Sequence, residues 1–289
     1  MGEPGVDVPT LRKQLGDKGY LAEDGLVTAL LLAVRMDQPI LLEGEPGVGK
    51  TAAAAALAAV LDTPLIRLQC YEGLSSTEAL YEWNYPRQLL AIRLAESREE
   101  MLRESDLFGQ DFLLPRALLR AIRHPGPRPA VLLIDEVDRA DDEFEAFLLE
   151  LLADAAITIP ELGTVRAVVP PVVVLTSNRT RDLHDALKRR CLYHWIAYPD
   201  SERVARIIRR RVPEAGEWLA PRVADTVRRL RDLDLTKPPG LAEAINWAVA
   251  LHTLGLSVWD SGAVAPTLGA VLKYAEDIDL ARSSSALGD

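Results

Sequence analysis

Basic charge is what this sequence is short of: 33 Lys and Arg face 43 Asp and Glu, leaving a formal net charge of −10 over 289 residues. A protein that coats nucleic acid through its general field leans the other way, so nucleic acid is not the expected partner, one narrow basic channel aside. Cysteine is nearly absent. Cys70 and Cys191 stand far apart and in no metal-ligand spacing, which argues against a disulfide framework or zinc site and predicts two reduced, buried thiols. The histidines are scattered and form no ligand set. Long apolar runs are missing as well. Leu26 to Val34 and Ala52 to Leu61 fall well short of the ~20 residues that a membrane span needs. The segment from Met1 to Asp7 has no basic or apolar stretch of a secretory signal, so a soluble, cytoplasmic protein is expected. No internal repeat or low-complexity tract interrupts the chain.

What is present is core-forming material. Hydrophobic residues make up 48% of the chain, and the length suits two domains. Residues 21–36 carry helical spacing. Ile40-Leu-Leu reads as a buried strand, Ala52 to Leu61 as a helix rich in the best helix former, and Leu65 to Leu68 as a second strand. A mixed, mainly helical segment to about residue 125 precedes the most hydrophobic strand, Ala130 to Ile134. An acidic helix over 141–153 follows. Ile157 to Ile159, a turn at 161–163 and Val165 to Val169 read as a β-hairpin, and Val172 to Leu175 and Tyr193 to Ile196 as further strands. From Ser201 only helical periodicity remains. Alternating strands and helices predict an α/β core with a parallel sheet over residues 1–199, followed by a small all-helical lid over 200–289. The terminal stretch 283–289 is expected to fray.

Between the first strand and its helix lies Gly44-Glu45-Pro46-Gly47-Val48-Gly49-Lys50-Thr51, a phosphate-binding loop of the form G-x-x-x-x-G-K-[ST]. Its glycines let backbone N–H groups curl around phosphates, and the helix N-terminus adds a positive dipole end. Lys50 is placed to bridge the β and γ phosphates of ATP, and the Thr51 hydroxyl to ligate Mg²⁺. Val131-Leu-Leu-Ile-Asp135-Glu136 supplies the second half: Asp135 to hold the metal and Glu136 to act as general base on the attacking water. Asn178, which ends the run Val172-Val-Val-Leu-Thr-Ser-Asn178, could hydrogen-bond that water or the γ-phosphate.

Other phosphate-loop classes fit less well. Asp106-Leu-Phe-Gly109 imitates a GTPase switch, but no Asn-Lys-x-Asp guanine-reading motif accompanies it. A small-molecule kinase needs neither the paired acids nor the helical tail. Asp135-Glu-Val-Asp138 suggests a helicase, yet the remainder is too short and too helical for a second motor domain.

With these motifs, Arg67-Leu-Gln-Cys-Tyr-Glu-Gly-Leu, Ala79-Leu-Tyr-Glu-Trp-Asn-Tyr-Pro-Arg-Gln and Asp185-Ala-Leu-Lys-Arg-Arg-Cys complete a pattern over about residues 20–255. It resembles the MoxR-type AAA+ ATPases, in particular the CoxD-like members found with carbon monoxide dehydrogenase maturation. The resemblance implies a homo-oligomeric ring, a hexamer, with ATP bound between subunits. It further implies an insertion at about 74–105, a hairpin at about 157–169, a von Willebrand factor A-type partner and a client metalloenzyme. An arginine finger is expected at Arg190, with Arg189 the alternative. The family's lid arginine is missing from Thr236-Lys-Pro-Pro-Gly-Leu, so Lys237 either substitutes or the contact is absent. A DNA-directed motor and a nucleotide-switched scaffold with little turnover are the competing readings. The crowded aromatics Tyr71, Tyr81, Trp83 and Tyr85 suit either a client-gripping surface or a small core of the insertion's own. The arginines between Arg203 and Arg211 read as a solvated lid face.

Overall fold

The structure is a computed structural model that describes residues 6–98, 101, 103–160, 162–256 and 258–287. Nine strands are described: β1 (Ile40–Gly44), β2 (Leu65–Gln69), β3 (Tyr81–Trp83), β4 (Leu113–Pro115), β5 (Val131–Asp135), β6 (Ala156–Ile159), β7 (Gly163–Arg166), β8 (Val172–Ser177) and β9 (Leu192–Ile196). Five of them form one sheet in the order β2-β5-β8-β1-β9. The pairs β2–β5, β5–β8 and β8–β1 are parallel, with Ile134 level with both Leu68 and Leu175. Position in the sheet follows composition. Val-Leu-Leu-Ile-Asp of β5 and Ile-Leu-Leu-Glu-Gly of β1 are buried at every residue, as strands covered on both faces must be. Leu-Ile-Arg-Leu-Gln of β2 and Leu-Tyr-His-Trp-Ile of β9 alternate exposed and covered side chains, and they take the two edges.

The chain folds as two compact units, Met1–Glu43 with Thr51–Trp195, and Gly44–Lys50 with Ile196–Asp289. The first holds the sheet and a core that includes Leu41, Ile134, Phe144, Leu148 and Leu175. Its acidic helix, Asp142–Asp154, starts on Asp141, whose carboxylate accepts the Phe144 N–H at 2.9 Å, and three acids in the first turn complement the helix dipole. The second unit contains helices Ser201–Arg211, Gly216–Arg231, Leu241–Thr253 and Ala275–Ser283 around Trp247, whose indole N–H reaches Thr267 at 2.7 Å. In the first of these helices Val204, Ala205 and Ile208 face the core, while Arg206, Arg210 and Arg211 face solvent.

The stretch before residue 125 is mixed and mainly helical, with β3 and β4 paired antiparallel in it, Trp83 opposite Leu113. Two local expectations need correction. The second hairpin strand stops at Arg166 rather than Val169, because Ala155 takes a left-handed helix cap (φ 45°) and the partner strand begins only at Ala156. Glu161, in the expected turn, lies outside the described residues. Fraying over 283–289 does not hold for 283–287, since Ala286 and Leu287 are buried in the helical core and the Leu287 carbonyl accepts from Trp259 Nε1 at 3.2 Å. Gly288 and Asp289 lie outside the described residues.

Candidate nucleotide site

In the first unit the C-terminal ends of β2, β5 and β8 bring Gln69, Asp135 and Asn178 to one edge of the sheet, where ligands of open α/β sheets bind. Asp135 is buried, at 2% exposure. It accepts hydrogen bonds from the Thr51 hydroxyl at 3.1 Å, from the Thr176 hydroxyl at 2.5 Å and from Arg67 Nη2 at 2.6 Å. The two residues expected to hold a metal therefore stand together, Thr51 and Asp135. Among the described residues no group of three or more His, Cys, Asp or Glu could hold a metal ion.

Glu136 sits in the left-handed region (φ 55°, ψ 49°), a conformation that costs a non-glycine residue about 1–2 kcal/mol. It is held there by its backbone N–H, which donates to Thr176 Oγ1 at 2.9 Å. The same hydroxyl donates to Asp135, so one threonine of β8 fixes both acids. The Glu136 carboxylate, partly exposed, accepts from Gln69 Nε2 at 3.0 Å and from Arg139 Nη1 at 3.1 Å. A carboxylate so oriented and still open to water can take a proton from it.

Asp138, also 2% exposed, works on the neighbouring strand end. One of its oxygens accepts from the Asn178 N–H at 3.2 Å, the Thr180 N–H at 2.8 Å and the Thr180 hydroxyl at 2.7 Å. This pins the backbone that carries Asn178. Arg189 and Arg190 end the helix Asp185–Arg190 and are both exposed; an Arg190 guanidinium nitrogen donates to the Leu149 carbonyl. Cys70 and Cys191 are free and buried, and burial pushes both thiols up to about 12. For Cys70 the Asp135 charge adds to the effect.

The loop Gly44–Lys50 belongs to the second unit. Lys50 is buried, and its ammonium donates to the Gly44 and Glu45 carbonyls at 2.7 and 2.8 Å, curling the loop over its own side chain. Gly47 needs its φ of 80°, and Gly240 has no room for a side chain: a Cβ there would lie 3.0 Å from the Pro46 carbonyl and 2.8 Å from the Glu243 carboxylate. Glu45, Pro46 and Gly47 are exposed, Val48 is buried and Gly49 half-buried.

Lys237 is exposed, and its backbone N–H donates to the buried Asp277 at 3.2 Å. The lid cation that meets the loop is another residue. Arg231 Nη2 reaches the Glu45 carboxylate at 2.5 Å, its Nη1 donates to the Pro239 carbonyl at 2.8 Å, and its guanidinium stacks on the Tyr198 ring at 3.8 Å. Burial pushes the Tyr198 phenol up to about 12.

Arg67, Gln69, Thr176, Asp138 and Arg231 have no assigned place in the phosphate-loop motifs of the sequence. Thr176 and Arg67 left a trace, a hydroxyl closing an apolar strand and a charge inside a short apolar run. Arg231 left none, being one of several arginines on a helix.

Residues 39–191 match the family model described as AAA domain (dynein-related subfamily). No curated protein matches the sequence. Among solved structures the chain is similar to the Thermotoga maritima RuvB Holliday junction branch migration motor. Identity is 19% and the TM-score 0.51, over 90% of this chain and 72% of that one. A single-substitution variant of the same motor gives 18% identity and a TM-score of 0.53 over the same shares. At such identities the likeness is one of fold. The family match covers more than half of the chain and takes in the phosphate loop, both strand-end acids and Asn178. The chain belongs to the dynein-related AAA domain family, and it is an ATPase.

Proposed function

We propose that ATP turnover drives remodelling of a protein client in the manner of MoxR-type proteins. The working form is a homo-oligomeric ring, a hexamer, the partner a von Willebrand factor A-type protein, and the client a metalloenzyme undergoing cofactor maturation. In this reading the backbone and Lys50 of the phosphate loop hold the ATP phosphates. Thr51 and Asp135 hold Mg²⁺, directly or through its water shell. Their oxygens, a hydroxyl and a carboxylate 3.1 Å apart, are donors of the hard kind that would suit this ion. Bound magnesium supplies charge neutralisation to the phosphoryl oxygens. Glu136 takes the proton of the attacking water, and Asn178 orients it. Arg190, or Arg189 in its place, reaches the γ-phosphate of a neighbouring subunit. Arg231 is a better lid cation than Lys237, because it already lies on the loop.

The observation that carries the client reading is the insertion helix Tyr85–Ser97. Tyr85, Leu89 and Leu90 on it are 60%, 61% and 57% exposed, an apolar face suited to polypeptide and not to phosphate. The aromatics divide between the two roles foreseen for them. Tyr81 and Trp83 are buried, Tyr81 packed edge-to-face on Trp83 and Trp83 on Phe108, while Tyr71 and Tyr85 remain open. A DNA-directed motor is the second reading, favoured by the fold shared with a branch migration motor; the net charge of −10 weighs against it. Affinity capture on Glu136→Gln with ATP separates the two. Bound polypeptide that is lost on Leu89→Ser with Leu90→Ser supports the client reading. Capture of DNA alone, together with DNA-stimulated turnover, contradicts it.

A further inference from the structure

A groove of about 690 Å³ opens in the first unit beside the catalytic edge of the sheet, walled by β2 on one side and by the β3–β4 pair on the other. Three guanidinium-bearing residues line it, Arg67, Arg116 and Arg120, with Trp83 buried in its wall and the exposed rings of Tyr71 and Tyr85 along it. The acids in its wall are engaged. Glu82 pairs with Arg116. Glu78 folds back onto Ser75, accepting its N–H at 3.1 Å and its hydroxyl at 3.0 Å, and these hydrogen bonds hold its carboxyl below the usual range. Arg120 is exposed and has no ion pair among the described residues. The groove thus offers cationic and aromatic contacts in a chain that is otherwise acidic.

Arg67 joins this groove to the chemistry. Its Nη2 lies 2.6 Å from Asp135 and 2.5 Å from the Gln69 side-chain oxygen, and the amide of the same Gln69 donates to Glu136 at 3.0 Å. Half of the Arg67 side chain is exposed, so a ligand can reach it without unfolding anything.

We propose that this groove binds an acidic segment of a partner polypeptide, and that Arg67 transmits its occupancy to Asp135 and Glu136. The second part rests on the reading of these acids as the metal-holding and water-activating pair. A partner carboxylate gains charge-assisted hydrogen bonds from Arg120 and Arg67, and the tyrosine rings add contact area. A carboxylate on Arg67 competes with Asp135 for one guanidinium and loosens the Gln69 amide that orients Glu136. Turnover therefore changes when the groove fills. A basic segment is repelled.

The test is fluorescence anisotropy with a fluorescein-labelled hexaglutamate peptide, a hexalysine peptide as control, and ATP turnover measured in parallel. Hexaglutamate should bind the wild type and lose about tenfold or more in affinity on Arg120→Glu, whose basal turnover stays unchanged. Saturating hexaglutamate should shift wild-type turnover by about fivefold. Lys50→Ala should bind the peptide as the wild type does; loss of binding there places the peptide on the phosphate loop and overturns the proposal. Equal binding of hexalysine, or of hexaglutamate to Arg120→Glu, also overturns it. Binding with unchanged turnover refutes the coupling through Arg67. Peptide binding intact on a Glu136→Gln variant that hydrolyses ATP like the wild type is a different failure, that of the catalytic assignment alone.

Discussion

Asp138 has no part in the phosphate-loop pattern, yet the geometry makes it the support of the strand end that carries Asn178. One carboxylate oxygen accepts three hydrogen bonds, and the other has no partner among the described residues. Asp138→Ala removes the acceptor. The Thr180 hydroxyl can turn to the Asp138 main-chain carbonyl, 3.4 Å away, but the N–H groups of Asn178 and Thr180 lose their partner. An unsatisfied buried donor costs about 1–3 kcal/mol. Both donors lie toward the surface, and removing a buried charge recovers some desolvation energy. The net loss is therefore about 2–3 kcal/mol, a large share of the about 5–15 kcal/mol typical of folded proteins. Asp138→Asn keeps the accepting oxygen and sets an NH₂ where the partnerless oxygen stood, so it should cost about 1 kcal/mol from the unsatisfied donor. Urea unfolding followed by circular dichroism, with slopes compared between variants, measures both. An alanine variant within about 0.5 kcal/mol of the wild type, or an asparagine variant worse than alanine, would refute the reasoning.

Arg231→Met should raise the KM for ATP about tenfold with kcat little changed, because it frees Glu45 and the loop without touching Glu136; an unchanged KM would show that the Glu45 contact positions nothing. Arg190→Ala should bind ATP normally and hydrolyse it about a thousandfold more slowly. Mixing it with Lys50→Ala should restore part of the activity, and mixed rings without recovery would transfer the finger role to Arg189. With burial raising the Cys70 and Cys191 thiols to about 12, almost no thiolate exists at pH 8. Native protein should then react with a thiol reagent only on the timescale of unfolding, and both thiols at once in urea; prompt native labelling would contradict the packing around them.

The fold class was legible because it is written in local patterns. Continuous apolar runs at 40–42 and 131–134 mark strands covered on both faces, and the alanine-rich stretch after Lys50 can only be a helix. The pairing of β3 with β4 was not. Tyr81 and Pro115 are brought opposite by packing, and three-residue strands show no period. The chain end looked polar and loose, yet Ala286 and Leu287 fill a gap in a core built by residues far upstream. In the candidate site, the spacing of the phosphate loop and the position of the acids at a strand end single out Thr51, Asp135 and Glu136, and the structure brings Thr51 within 3.1 Å of Asp135. Thr176, Asp138 and Arg67 act on those acids and on the backbone at Asn178 from 40 or more residues away, through hydrogen bonds that no motif encodes. Arg231 meets a residue 186 positions earlier, a contact set by tertiary structure alone.

ATP binding and steady-state hydrolysis by Glu136→Gln and Lys50→Ala test the central claim most directly. The Gln variant keeps the side-chain shape, so it should bind a fluorescent ATP analogue as the wild type does while turnover falls by about a hundredfold or more, the usual loss for a general base. Lys50→Ala should fail to bind at all. Wild-type turnover in Glu136→Gln would contradict the account, since the carboxylate beside Asp135 could not then be the group that activates the water.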